Sequence, residues 1–314
     1  MRFLFVMDPA EKMIPDKDTS FAFLRGSMAR GHECLHCLPR HVSNLGREVF
    51  AHARPITVSD SPPPFALGAA SQVNLVSLDA VFVRKDPPFD AAYGHLTRQL
   101  DLVTHGVLVL NAPSAIRDAN EKLYAFHFSD LMPRSLVSSD PQRLLDFVQE
   151  VGGKAVIKPL DGAGGSGVLA LAVGDRNARS IVDILTREGQ DLVLVQEYEP
   201  AVRVGDKRVL MLDGQPLGAI LRVPRSDDLR ANIHAGGRVE ATTLTPREEE
   251  LVTIVGRRLR EVGLVFVGLD LIGEKLIEVN VTSPTGIQEL GRMTGTRPEL
   301  DVIAWVERAA AARR

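Results

Sequence analysis

Residues 154–173 read KAVIKPLDGAGGSGVLALAV. The segment 154–159 alternates as a strand does, and 168–173 is an apolar run that reads as a second strand. Between them lies a glycine-rich loop, 161–167, containing Gly162, Gly164, Gly165, Ser166 and Gly167. Gly162, Gly164 and Gly167 satisfy G-x-G-x-x-G, the dinucleotide-binding fingerprint. That fingerprint needs a helix directly after the glycines, so that the helix N-terminus can hold a pyrophosphate. Here a strand follows, and the dinucleotide-binding reading is set aside. No lysine follows the last glycine, so the loop is not the P-loop of NTPases either. What remains is a flap between two antiparallel strands. Its amides can approach phosphates closely because no Cβ stands in the way. Protein kinases pair such a flap with a strand lysine, and Lys158 stands at the end of the preceding strand.

Downstream, 191–198 (DLVLVQEY) is a strand that turns polar at Glu197 and Tyr198. Asp206 and Arg208 precede a strand over 209–212, Asp213-Gly214 marks a hairpin turn, and 217–223 is the return strand. The stretch 224–238 (PRSDDLRANIHAGGR) has little apolar content and carries Arg225, Arg230 and Arg238. Loops this long are usually functional or disordered, and a basic lid would suit an anionic intermediate. Thr245-Pro246 opens an amphipathic helix over 247–262. Two apolar runs follow, 264–272 and 276–281, around Gly273-Glu274-Lys275. They predict a hairpin interrupted by Asp270, Glu278 and Asn280. A three-residue loop pairs Glu278 with Asp270 and puts all three on one face. Carboxylates converging among apolar residues call for a hard cation, Mg²⁺ first; the bland alternative is a solvated polar face. Ser283-Pro284 suits the start of a further helix, and 300–314 reads as a terminal helix.

Upstream, a strand over 2–7 ends at Asp8-Pro9, a helix covers 21–30 and a strand covers 32–38, a βαβ spacing. Another strand, 80–83, is broken by Arg84-Lys85-Asp86-Pro87-Pro88. Charges just past a strand's carboxyl end tend to face the ligand crevice of an open α/β sheet. Further strand and helices are predicted over 106–110, 116–130 and 141–151, with Lys122 on the polar side of its helix. Cys34 and Cys37 form a CxxC pair without a second pair, and alternation puts them on opposite faces of a strand. They read as small packed side chains in a reducing compartment.

At 314 residues the chain exceeds one typical core and predicts two or three lobes. A net charge of −3 gives no electrostatic case for nucleic acid or an anionic membrane. The start is too short an apolar run for a signal peptide, and no run approaches the roughly 20 residues of a membrane span. The expected location is cytoplasmic.

Several segments together resemble the bacterial glutathione synthetases of the ATP-grasp superfamily: VMDP (6–9), RKDPPFD (84–90), NEKL (120–123), IKPLDGAGGSG (157–167), GDKRVL (205–210), AGGR (235–238) and VGLDLIG…IEVNVTSPTGI (267–287). The resemblance spans nearly the whole chain. It implies a mixed α/β and α+β fold, with an N-terminal α/β (pre-ATP-grasp) lobe over 1–117. A two-subdomain ATP-grasp fold then divides into 118–200, with the flap, and 201–314, with the lid and metal site. It implies ATP as the nucleotide, with Lys122, Lys158 and the flap on its phosphates, Glu197 and Tyr198 at the adenine hinge, and Asp206 at the ribose. Asp270, Glu278 and Asn280 become ligands of Mg²⁺, or of Mn²⁺ in its place. Arg208, Arg222, Arg230 and Asn232 surround the transferred phosphate, and Arg84 with Thr282, Ser283, Thr285 and Gly286 holds the acid substrate. The implied reaction joins γ-glutamylcysteine to glycine, in a homo-oligomer, commonly a tetramer. The chain departs from the family pattern in the lid, where RAN (230–232) replaces the usual RGN and Arg225-Ser226-Asp227-Asp228 a Gly-rich segment. The competing readings are a ligase for another acid and amine, and a nucleotide-sensing module without chemistry.

Overall fold

The computed structural model describes residues 1–224 and 238–313. The lid residues Arg225, Arg230 and Asn232 therefore lie outside the described residues. The first sheet is built around β1 (Arg2–Met7), whose apolar interior is buried as a central parallel strand requires. α1 (Thr19–Ala29) leads to β2 (Glu33–Cys37), then β3 (Val42–Leu45), β4 (Glu48–Val58), β5 (Phe65–Leu67), β6 (Ser71–Asn74) and β7 (Ala80–Arg84). α2 (Ala91–Asp101), β8 (Leu108–Leu110) and α3 (Pro113–Asp118) complete the lobe. The strand order is β3-β4-β2-β1-β7-β8, with β5 and β6 pairing to β4. β2, β1, β7 and β8 run parallel, so the ends of β1 and β7 open side by side at one edge. The elements between residues 42 and 74 had no counterpart in the sequence reading. Cys34 faces one core and Cys37 the other, as alternation predicts, and burial pushes both thiols up to about 12. They are packed, unreactive side chains.

The second sheet has β9 (Ser135–Ser138), α4 (Pro141–Glu150), β10 (Lys154–Pro159), β11 (Leu169–Ala172), α5 (Ala178–Leu185) and β12 (Val193–Glu197), with antiparallel order β11-β10-β12-β9. Its helices cover one face, where Ala155 and Ile157 point. The other face, carrying Val156 and Lys158, is left for the cavity. The flap joins β10 to β11 as predicted.

The third sheet has β13 (Asp206–Leu212), β14 (Gln215–Val223), β15 (Arg238–Ala241), α6 (Pro246–Glu261), β16 (Phe266–Ile272) and β17 (Lys275–Asn280), in order β15-β14-β13-β16-β17. α7 (Ile287–Thr294) and α8 (Pro298–Ala311) follow, and α8 packs on α1. α6 begins at Thr245, where Glu248 closes a reciprocal capping box. Its apolar stripe packs on Val209, Met211, Val267, Leu269 and Val279. The opposite face of this sheet is charged.

Four expectations need correction. The stretch 116–130 is not one helix. α3 stops at Asp118, Asn120 Oδ1 accepts from the amides of Lys122 and Leu123 at 3.1 Å, and the chain restarts as a kinked 3-10 segment, Tyr124–Leu131. That turn buries Lys122 instead of leaving it on a polar helix face. β13 starts at Asp206 rather than at 209, which brings Asp206 and Arg208 into the sheet. The helix expected from Ser283-Pro284 begins only at Ile287, behind Gly286 at φ 116°. The carbonyls of Pro284 and Thr285 are instead taken by Arg84 and Arg208.

Asp270 does face Glu278, but not through a three-residue loop. Gly273 and Glu274, with φ of 56° and 62°, form a two-residue turn that pairs Ile272 with Lys275. A bulge at Ile277 then adds the residue that restores the predicted pairing.

Candidate active site

The free faces of the second and third sheets meet around a cavity of about 510 Å³, closed at one end by the first lobe. On the flap side, Gly164, Gly165 and Gly167 have φ of 61°, 78° and 72°, which only glycine adopts readily. Lys158 reaches under the flap, and its Nζ donates to Gln196 Oε1 at 2.9 Å. Burial lowers its pKa, and the charge of Glu278 works the other way. Lys122 Nζ donates to the carbonyl of Gly162 at 2.5 Å. Glu197 ends β12 and Tyr198 follows it at the cavity, where Val156, Val202, Ile272 and Ile277 supply apolar walls. A flat base with a polar edge fits such a slot.

Opposite, the cross-strand partners of the third sheet carry a charge ladder. Arg222 forks onto Asp206 at 2.7 and 2.6 Å. Arg208 forks onto Asp270 at 2.5 and 3.0 Å, and Arg222 Nη2 reaches the same carboxylate at 3.0 Å. Burial alone would push Asp270 up, but Arg208 and Arg222 outweigh it and hold the carboxyl far below the usual range. Asp206 has one guanidinium partner and a second acid beside it, so burial prevails and raises it to about 6.

Glu278 Oε1 stands 3.1 Å from Lys122 Nζ. Asn280 Nδ2 donates to Gly268 O at 3.2 Å and Asp270 Oδ2 at 3.3 Å, which leaves its Oδ1 for another partner. Among the described residues no group of three or more His, Cys, Asp or Glu gathers to hold a metal. The set at this hairpin is two carboxylates and an amide, all oxygen donors, and it fits a hard divalent cation.

At the closed end, Arg84 lies between the rings of Phe23 and Phe266, at 5.6 and 5.9 Å from their centroids. It donates to Ser20 Oγ at 3.2 Å and to Pro284 O at 3.0 Å. Burial lowers it to about 10, so it remains a cation at neutral pH. No carboxylate among the described residues forms an ion pair with it. Thr282, Ser283 and Thr285 line the cavity beside it.

The described candidates thus converge on one cavity, apart from two glycines. Gly167 packs against Pro159 behind the flap, and Gly286 caps α7. Sequence reasoning missed Gln196, which orients Lys158 and donates to Ser135 Oγ at 3.0 Å. It also missed Glu121, half-buried in a turn where no periodicity marks it. Gln196 interrupts an apolar strand, and that interruption was its signal.

Comparison with known proteins agrees with this architecture. Residues 1–117 match the model of the prokaryotic glutathione synthetase N-terminal domain, and 121–295 match that of its ATP-grasp domain. The glutathione synthetase of Gloeobacter violaceus is 44% identical over 313 residues, covering 98% of this chain and 96% of that protein. That of Thermosynechococcus vestitus is 42% identical, covering 98% and 99%. Among solved structures, the ATP-grasp ligase PsnB with a minimal precursor, Mg and ADP superposes with a TM-score of 0.64 at 17% identity, over 98% of this chain and 97% of that one. D-cycloserine synthetase DcsG gives 0.65 at 15% identity, over 99% and 100%. These structures show the ATP-grasp fold, and the sequence matches decide the family within it. The two charged walls, the flap and the nearly full-length identity converge on one statement: this chain belongs to the prokaryotic glutathione synthetases.

Proposed function

We propose that the chain is an ADP-forming carboxylate–amine ligase joining γ-glutamylcysteine to glycine at the expense of ATP. The observation that carries this is the facing of Lys122, Lys158 and the flap against Arg208, Arg222, Asp270, Glu278 and Asn280 across one cavity. A carboxylate is a poor electrophile and must be activated. Its oxygen attacks the γ-phosphorus of ATP, the bond to the β-bridging oxygen breaks, and ADP leaves an acyl phosphate behind. The glycine nitrogen attacks the acyl carbon, the carbon–oxygen bond to phosphate breaks, and the amine proton is lost. Neither step needs an enzyme nucleophile, so the protein's work is positioning and charge neutralisation.

Lys122 and Lys158 neutralise nucleotide phosphates from the flap side. Arg208 and Arg222, their forks held by Asp270 and Asp206, bring guanidinium charge to the transferred group. Asp206, assigned to the ribose by the resemblance, also aims Arg222. A divalent cation, Mg²⁺ or Mn²⁺, held by Asp270, Glu278 and Asn280, would offset phosphate charge when bound. Arg84 holds a carboxylate of the acid, with the 282–286 turn beside it. Arg230 and Asn232 belong to a lid that shields the acyl phosphate from water. A cytoplasmic homotetramer with boundaries near 117/118 and 200/201 goes with this reading.

The test is a product assay that offers γ-glutamylcysteine against analogue acids, and glycine against other amines, with ADP release as readout. Glutathione with acceptor-dependent ADP is expected. Turnover only with another acid and amine would move the chain to a different ligase specificity. ATP binding without acceptor-dependent ADP would reduce it to a sensing module.

A further inference from the structure

Glu121 has no part in the roles assigned so far, yet it sits between the two walls of the site. Its main-chain oxygen accepts from Val279 N at 3.0 Å, along the open edge of β17. Its Oε1 accepts from Val281 N at 3.0 Å, Thr282 N at 3.2 Å and Thr282 Oγ1 at 2.9 Å. One carboxylate oxygen therefore gathers three donors where β17 has ended and the chain enters the 282–286 turn. The flanking residues face the flap. Asn120 Nδ2 donates to Leu160 O at 3.3 Å, and Lys122 Nζ touches both Gly162 O and Glu278. Residues 120–122 thus form a joint, with the flap base on one side and the cation-binding hairpin on the other.

A carboxylate drawn partly out of water is costly unless its oxygens are hydrogen-bonded, and Glu278 adds repulsion nearby. Charge-assisted bonds to two amides and a hydroxyl offset that cost and fix the groups that make them. We infer that Glu121 is a positioning residue for the ligation, setting the 281–286 segment at a fixed distance from Glu278 and Asn280. In the proposed reaction, on which this inference rests, that distance separates the acid's carboxylate from the phosphoryl group it attacks. A misplacement of about 1 Å there costs on the order of 100-fold in rate.

The experiment compares Glu121→Ala, Glu121→Gln and Thr282→Val with the wild-type enzyme. In Glu121→Ala, kcat should fall about 100-fold and the KM of the acid rise about 10-fold, while the ATP Kd from calorimetry stays within about twofold. Glu121→Gln keeps an oxygen for the same donors and should recover most of both parameters. Thr282→Val removes one of the three bonds and should raise the acid KM alone. Amide hydrogen exchange at Val281 and Thr282 should accelerate in Glu121→Ala and stay slow in Glu121→Gln. A Gln variant as poor as the Ala variant, or an unchanged acid KM in Glu121→Ala, would overturn the inference. If Glu121→Ala does not fold, the other two variants decide: a wild-type acid KM in Thr282→Val overturns it. The exchange measurement needs no substrate. A wild type that ligates a different acid would therefore displace the proposed function without touching this result, and the kinetics would be run with that acid.

Discussion

Lys122 Nζ lies 3.1 Å from Glu278 Oε1 and 2.5 Å from the carbonyl oxygen of Gly162, so one ammonium joins the flap to the hairpin. Both ends of that link are buried or half-buried, where opposite charges interact strongly. Glu278→Gln preserves the shape and removes the charge. Cation-dependent ADP release should drop by about 100-fold or more, with the fold kept and seen as a cooperative, if lower, thermal melt. Titrating the cation in the turnover assay and recording the circular-dichroism melt checks both halves. A rate close to wild type would remove Glu278 from the cation site.

Arg84 is a cation held by two aromatic faces, a hydroxyl and a carbonyl, without an acid among the described residues. Arg84→Met refills the space without the charge. The acid KM should rise about 10- to 100-fold, the worth of a hydrogen bond to a charged group, while the ATP KM barely moves. Steady-state kinetics with each substrate varied in turn gives the comparison. Equal increases for acid and ATP would argue for a purely structural arginine.

Asn111 stitches the first lobe to the hairpin. Its Nδ2 donates to Phe266 O and Val281 O, both at 2.9 Å, and its Oδ1 accepts from Phe266 N at 2.8 Å. Asn111→Ala deletes three buried hydrogen bonds and strands backbone groups, so a loss of about 3 kcal/mol is expected. Denaturant unfolding followed by more than one probe measures it. A loss below about 1 kcal/mol would mean that water or local relaxation replaces the stitch.

Glu307 on α8 holds Arg30 at 2.5 Å and His32 at 2.6 Å. Bonding to Arg30, opposed by burial and helped by His32, takes its carboxyl from 4.5 down to about 2. The folded pKa lies below the unfolded one. The stabilisation is therefore complete above pH 4.5 and disappears as pH falls towards 2. Glu307→Gln should cost about 1 kcal/mol above that range, after allowance for the half-exposed Arg30. The gap from wild type should close on acidification. Thermal melts across pH test this, and a gap that widens in acid would reverse the assignment.

Regular strands were legible: alternation put Glu278 and Asn280 on one face, and an alternating strand carried Lys158 to the flap, and all three line the cavity, whereas the place of Asp270 depended on the turn. Turns were less legible, because long-range partners decide them. Thr245-Pro246 and Ser283-Pro284 carry the same local start signal. The first opens a helix because Glu248 sits in reach to complete its cap. The second has Gly286 at the corresponding place, and arginines elsewhere in the chain claim its carbonyls. Lys122 was assigned to a helix face because its apolar neighbours suggested one. The Asn120 turn that buries it is visible only once Leu160 and Gly162 are brought alongside. Glu121 left no pattern because its partners lie more than a hundred residues away.

The bulge at Ile277 makes the acidic face of the hairpin depend on register rather than on composition. Paired residue for residue from the two-residue turn, with Ile277 taken into the ladder, Glu278 would lie opposite Leu269, whose side chain belongs to the core, and the acid would point away from Asp270. A one-residue slip of β17 against β16 would therefore disarm the site even with every donor still spelled out in the chain. When relatives are aligned, the spacing from Asp270 to Glu278 is thus informative only together with the turn and bulge that set the register.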